Sequence, residues 1–140
     1  MKKGFTLIEL LVTMSIISII VALSLFALSG SKDQARDGKR KSDLEFIRSG
    51  LEMYRSDCGS YPAPAGGSVP SPLTGSCGSS ATYINSVPAD PQSPARIYLY
   101  ARPSATTYEL CASLEQGSGS VSCGGSSNCG TTCNYKVANP

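Results

Sequence analysis

The sequence predicts an α+β protein in which one long N-terminal α-helix, half membrane anchor and half amphipathic, packs on a small antiparallel β-sheet of three to four strands, followed by a disulfide-bearing C-terminal loop. Three observations carry this. Phe5 to Leu28 is an apolar run whose only charge is Glu9. Leu44, Ile47, Leu51 and Tyr54 then recur at three- and four-residue steps within a charged, proline-free stretch, which is the period of an amphipathic helix. Finally, Arg96 to Ala101 (RIYLYA) and Thr107 to Ser113 (TYELCAS) are short tyrosine-rich runs with alternation, the mark of half-buried strands.

Residues 1 to 4 form a short positive head, and the positive-inside preference would hold Lys2 and Lys3 on the cytoplasmic side. Residues 5 to 28 contain no Lys, Arg, Asp, Asn, Gln, Gly or Pro. As a helix they reach about 36 Å at about 1.5 Å per residue, enough to cross a hydrocarbon core of about 30 Å. Residues 29 to 57 continue the helix with an apolar stripe on one side and Phe46, Gly50 and Met53 beside it. Asp37 with Lys41, Glu45 with Arg48 and Glu52 with Arg55 fall at helical neighbour spacing on an expected solvated face. Gly30, Gly38 and Gly50 weaken the helix, so a bend is expected near Gly30 or Gly38. Cys58, Gly59 and Tyr61-Pro62 end it near Asp57, because glycine takes the left-handed cap and proline forbids continuation.

Residues 58 to 95, rich in Pro, Gly and Ser, read as a connecting loop over the surface. Residues 96 to 140 hold the predicted hairpin, with a turn around Pro103 to Ala105, then a Gly/Ser-rich segment and a last strand near Asn134 to Val137. The tyrosines Tyr54, Tyr61, Tyr83, Tyr98, Tyr100, Tyr108 and Tyr135 are expected in the core and on the sheet.

All six cysteines, Cys58, Cys77, Cys111, Cys123, Cys129 and Cys133, follow the apolar run in a small domain. That pattern reads as a disulfide framework in an oxidising compartment. A zinc site is disfavoured, since the chain has no histidine and no Cys-x-x-Cys pair. Sequence alone leaves every pairing open. We expect Cys58 with Cys77, and Cys111 with one of the last three.

The net charge of +2 rests on Lys2 and Lys3; beyond them ten basic and ten acidic side chains balance. No specific nucleic-acid partner is predicted, and Lys39-Arg40-Lys41, flanked by Asp37 and Asp43, makes a weak field. With no histidine, no base beside a cysteine and no phosphate loop, no catalytic residue, metal or cofactor is expected, and the chain is not expected to be an enzyme.

Glu9 is the anomaly, because a charge at mid-bilayer costs roughly 2.5 to 3.5 kcal/mol on insertion scales. A generic anchor has no use for it. A secretory signal would need a small-x-small cut after a shorter apolar core, and Ala27-Leu-Ser29 fits that only loosely.

The segment MKKGFTLIELLVTMSIISIIV resembles the N-terminus of the type IV pilin and pseudopilin superfamily: a basic leader ending in glycine, then Phe-Thr-Leu-Ile-Glu, then a long apolar helix. LEMYRSDCGSYP, SVPADPQSP and the tyrosine-rich strands extend the likeness through most of residues 1 to 115. The resemblance implies a pilin-like fold, cleavage between Gly4 and Phe5 by a membrane prepilin peptidase, and methylation of the new amine on Phe5. In a bundle of parallel helices that amine would meet Glu9 of a neighbouring subunit. Burial subtracts much of the Coulomb gain, so the contact chiefly sets register. The implied partners are further copies of the chain in a helical filament, the peptidase, the membrane and an inner-membrane assembly platform.

The implied function is a structural subunit of an extracellular type IV pilus-like filament for adhesion, motility or DNA uptake. The alternative is a pseudopilin whose short periplasmic filament works as a piston in type II protein secretion. Before assembly the chain would be a single-pass membrane protein with its head outside the cytoplasm. Residues 116 to 140 contain no Asp or Glu and carry three cysteines, which argues against the calcium loop of major pseudopilins. The cystine-rich end points to the pilus.

Overall fold

The computed structural model describes residues 4–78 and 80–139, with the side chains of residues 26–29 outside the description. Lys2 and Lys3, expected as the positive head, lie outside it. Helix α1 spans Leu7–Cys58 without interruption in its assignment, passing through Gly30 and Gly38. It is followed by β1 (Leu73–Thr74), β2 (Thr82–Ile84), β3 (Leu99–Ser104), β4 (Thr107–Ala112) and β5 (Tyr135–Ala138). The chain divides into two compact units, one up to Ala35 and one from Arg36 onward.

The first unit is bare helix, long and apolar enough to cross a membrane by length and composition. Leu7, Ile8, Leu11, Met14, Ile17, Ile20 and Leu23 are all exposed, a state that water penalises and that lipid or a partner helix would relieve. Its hydroxyls turn inward instead. Thr13 and Ser18 donate to the carbonyls of Leu10 and Ser15, and Ser15 and Ser24 to those of Leu11 and Ile20, at 2.7–2.9 Å. These bonds leave no hydroxyl among the four needing an outside partner.

In the second unit, Leu44, Ile47, Leu51 and Tyr54 form the buried face of α1, as the three- and four-residue spacing requires. They pack against Tyr100, Tyr108, Leu110, Ala112 and Val137 of the sheet, against Tyr98 just ahead of β3, and against Val69, Leu73 and Ile84 of the connection. Phe46 and Met53 remain exposed. Gly50 is buried because β2 comes so close that a Cβ there would lie 2.5 Å from Cδ1 of Ile84. The helix stops at Gly59, whose positive φ of 70° suits only glycine at no cost and whose N–H closes on Arg55 O at 2.7 Å.

Sheet order is β3-β4-β5, antiparallel throughout, with Leu99 opposite Cys111 and Cys111 opposite Lys136. The connection over 58–95, expected as plain loop, carries a second antiparallel pair, β1-β2, pairing Leu73 with Ile84. Leu73 and Ile84 are buried; two apolar residues sufficed to fix strands too short to show a period.

Candidate assembly site

Thr6 precedes the first helical residue, and Glu9 lies three residues on. The Glu9 carboxylate accepts the Thr6 N–H at 2.9 Å and the Thr6 hydroxyl at 2.8 Å, while the Glu9 N–H donates to Thr6 Oγ1 at 3.3 Å. This is a capping box, each residue satisfying the other's orphan donor at the start of α1. It also sets the acid against the positive end of the helix dipole. The Thr6-Leu-Ile-Glu9 spacing ahead of an apolar run carried that signal, which reading Glu9 only as a buried charge overlooked.

Phe5 is 86% exposed. Together with Ile8, Glu9, Val12 and Thr13 it lines an open, shallow recess of about 370 Å³. The recess is apolar apart from the acid and the Thr13 hydroxyl, and that hydroxyl is already engaged with Leu10 O. Gly4 lies just ahead, with nothing within 4 Å of a Cβ built on it.

A second cluster of charge sits in the head, where the sequence suggested a solvated face. Arg40 is fully buried. Its Nε and Nη2 grip both oxygens of Asp90 at 2.8 and 3.2 Å, Nη1 donates to Asp37 at 2.7 Å and Glu115 at 2.9 Å, and Nη2 also donates to Gln92 Oε1 at 2.9 Å. Arg36 holds Glu115 through two further bonds. Asp37 bonds Arg40 and accepts the backbone N–H groups of Glu115 and Gln116. Burial works against the Arg40 charge, yet the bonds to Asp90, Glu115 and Asp37 raise its pKa regardless. The Arg36 and Arg40 guanidiniums bring Glu115 down to about 2. The cluster pins the segment after β4 and the 90–92 turn onto α1. Of the other expected pairs, Glu45–Arg48 forms at 3.4 Å, while Glu52 and Arg55 both meet the Tyr61 hydroxyl.

The cysteines are joined as Cys58–Cys77, Cys111–Cys123 and Cys129–Cys133. Each bridge links neighbours in the order of the chain. Among the described residues no group of three or more His, Cys, Asp or Glu side chains is arranged to hold a metal ion.

An exposed apolar helix, capped by an acid and long and apolar enough to cross a membrane by length and composition, continues in sequence into a small disulfide-stapled α+β head, the layout of a pilin-like fold. Residues 1–28 match the prokaryotic N-terminal methylation motif, and residues 27–122 match type II secretion system (T2SS), protein G. The chain therefore belongs to the type II secretion system protein G family. Among curated relatives, the type II secretion system core protein G of Klebsiella michiganensis is 39% identical over 61 residues, 44% of this chain and 43% of that protein. Those of Escherichia coli K12 and Aeromonas hydrophila are 33% and 31% identical over 98 and 99 residues, in each case 64% of this chain and 66% and 67% of the relative. The match covers less than half the length of the first of these relatives. No solved structure matches.

Proposed function

We propose that this chain is a pseudopilin of a type II secretion system, a subunit that polymerises into a short periplasmic filament moving proteins outward. The family match over residues 27–122 favours this over the surface pilus, although the cystine-rich end without acidic residues had pointed the other way. The role is mechanical rather than catalytic. A prepilin peptidase cuts between Gly4 and Phe5, the Phe5 amine is methylated, and an assembly platform in the inner membrane adds subunits with their heads outside the cytoplasm.

The observation that carries the reading is Glu9, the one charged side chain in the apolar run from Phe5 to Leu28, seated in a recess with Phe5. In a bundle of anchors the Phe5 amine of one subunit enters the recess of the next and meets the Glu9 carboxylate. Breaking such a pair by deleting one partner leaves an uncompensated buried charge, costing roughly 3–5 kcal/mol.

Glu9→Ala tests this. The variant is expected to reach the membrane and fold its head, yet to form no filament and to abolish export. Normal assembly by the variant would overturn the account. Deleting the gene separates the two filament readings: loss of exported enzymes supports secretion, and loss of long surface filaments with export intact supports the pilus.

A further inference from the structure

The three disulfides differ sharply in exposure. Cys111, Cys123, Cys129 and Cys133 are each at most 2% exposed and form one cluster, with Leu99, Ala101 and Val121 packed around it. Cys58 is only partly buried, and Cys77 is exposed. Cys58 is the last residue of α1, and Cys77 lies in the loop from β1 to β2. We propose that Cys58–Cys77 is a thiol–disulfide exchange site, open to the dithiol or disulfide centre of an oxidoreductase, while the other two bridges are closed to it.

Exchange requires a thiolate to reach a disulfide sulfur, and among the six sulfurs that of Cys77 stands on the most accessible residue. A dithiol partner attacks it, forming a mixed disulfide at Cys77 and releasing Cys58 as thiolate. The partner's second thiol then displaces Cys77. Two electrons and two protons pass to the chain, leaving Cys58 and Cys77 as thiols and the partner as a disulfide. Run in reverse, an oxidised partner accepts Cys77, and Cys58 displaces it to restore the bond.

The return step is unambiguous because the other four cysteines are locked in buried bridges, so each freed thiol has one partner. The bond secures a short piece of chain. Leu73 and Ile84, on either side of the loop, are buried in the core. Tyr54 Oη and Ser76 Oγ are 2.6 Å apart, Tyr83 donates to Asp57 at 2.7 Å, and the Gly75 N–H donates to Ala81 O at 2.8 Å. None of these contacts depends on the bridge, so reduction leaves the head folded.

The test uses the full chain in detergent micelles, treated with dithiothreitol and trapped with iodoacetamide before peptide mapping. Cys58 and Cys77 are expected to be alkylated at least about tenfold sooner than the other four, with the near-ultraviolet tyrosine dichroism unchanged. Oxidised glutathione should then restore the Cys58–Cys77 pairing alone. Alkylation of Cys111 or Cys129 first, loss of all three bridges together, or scrambled pairing on reoxidation would overturn the proposal. In a second arm, folded Cys58→Ser should expose a Cys77 thiol that reacts with Ellman's reagent within about tenfold of the rate of a small free thiol. A Cys77 thiol that reacts only on unfolding would refute it.

Discussion

Replacing Arg40 with methionine keeps most of the side chain's length and removes its charge. Asp37, Asp90 and Glu115 would then converge on an apolar stem, at a position where the Arg40 and Asp90 side chains are fully buried. Breaking a buried pair by removing one partner costs roughly 3–5 kcal/mol, a large part of the roughly 5–15 kcal/mol available to a domain. At about 4–8 °C per kcal/mol for a head of this size, Tm should fall by about 12 °C or more. All seven tyrosines lie at or beyond residue 54, so near-ultraviolet dichroism of the full chain in detergent follows the head without interference from the anchor. The pH dependence supplies a second readout. Asp37 and Glu115 ionise below the usual carboxylate range, Glu115 at about 2. Their contribution is present above an unfolded value of about 4 and is lost as pH falls through the folded values. In the variant Arg36 still holds Glu115 and the backbone N–H groups of Glu115 and Gln116 still hold Asp37, so only the share owed to Arg40 is lost, and the gap from wild type should narrow in part as pH falls from about 4 toward about 2. A loss below about 1 kcal/mol at neutral pH would refute the assignment of Arg40 as the centre of the cluster.

Gly50→Ala should cost about 1–3 kcal/mol by overpacking against Ile84. A double-mutant cycle with Ile84→Ala should show the pair costing less than the sum of the singles. Burial pushes up the phenols of Tyr98, Tyr100 and Tyr108, so an ultraviolet titration should find these three protonated until the fold is lost. Because their folded pKa values are raised, that stability is full below about pH 10 and declines above it. Leu51→Ala, at a fully buried position, should lower stability by about 2–5 kcal/mol in denaturant unfolding of the head.

The apolar first half of the helix was legible from its composition, and the helix face of the head because burial imposes a period: Leu44, Ile47, Leu51 and Tyr54 had to share one side. The hairpin and last strand were legible for the same reason, within a few residues at their ends. β1 and β2 were not, since two- and three-residue strands are too short to alternate. Arg40 was missed for a different reason. On the helix it looks like any surface cation among acids, and its burial is decided by Asp90 and Glu115, 50 and 75 residues away. Proximity of Glu9 to the chain's own Thr6 was written in the local spacing, whereas the neighbour that Glu9 would serve in a filament belongs to another molecule.

Both Thr6 donors go to one oxygen of the Glu9 carboxylate, Oε2, so the cap holds the acid in place at the helix start and leaves the second oxygen free to accept from another donor. In the proposed filament an arriving amine can bond that second oxygen while the cap persists, and a charged amine is a strong donor to it. Under the proposed function, one carboxylate then serves twice, first as the cap of its own helix and then as the acceptor for the amine that a cut after Gly4 would create.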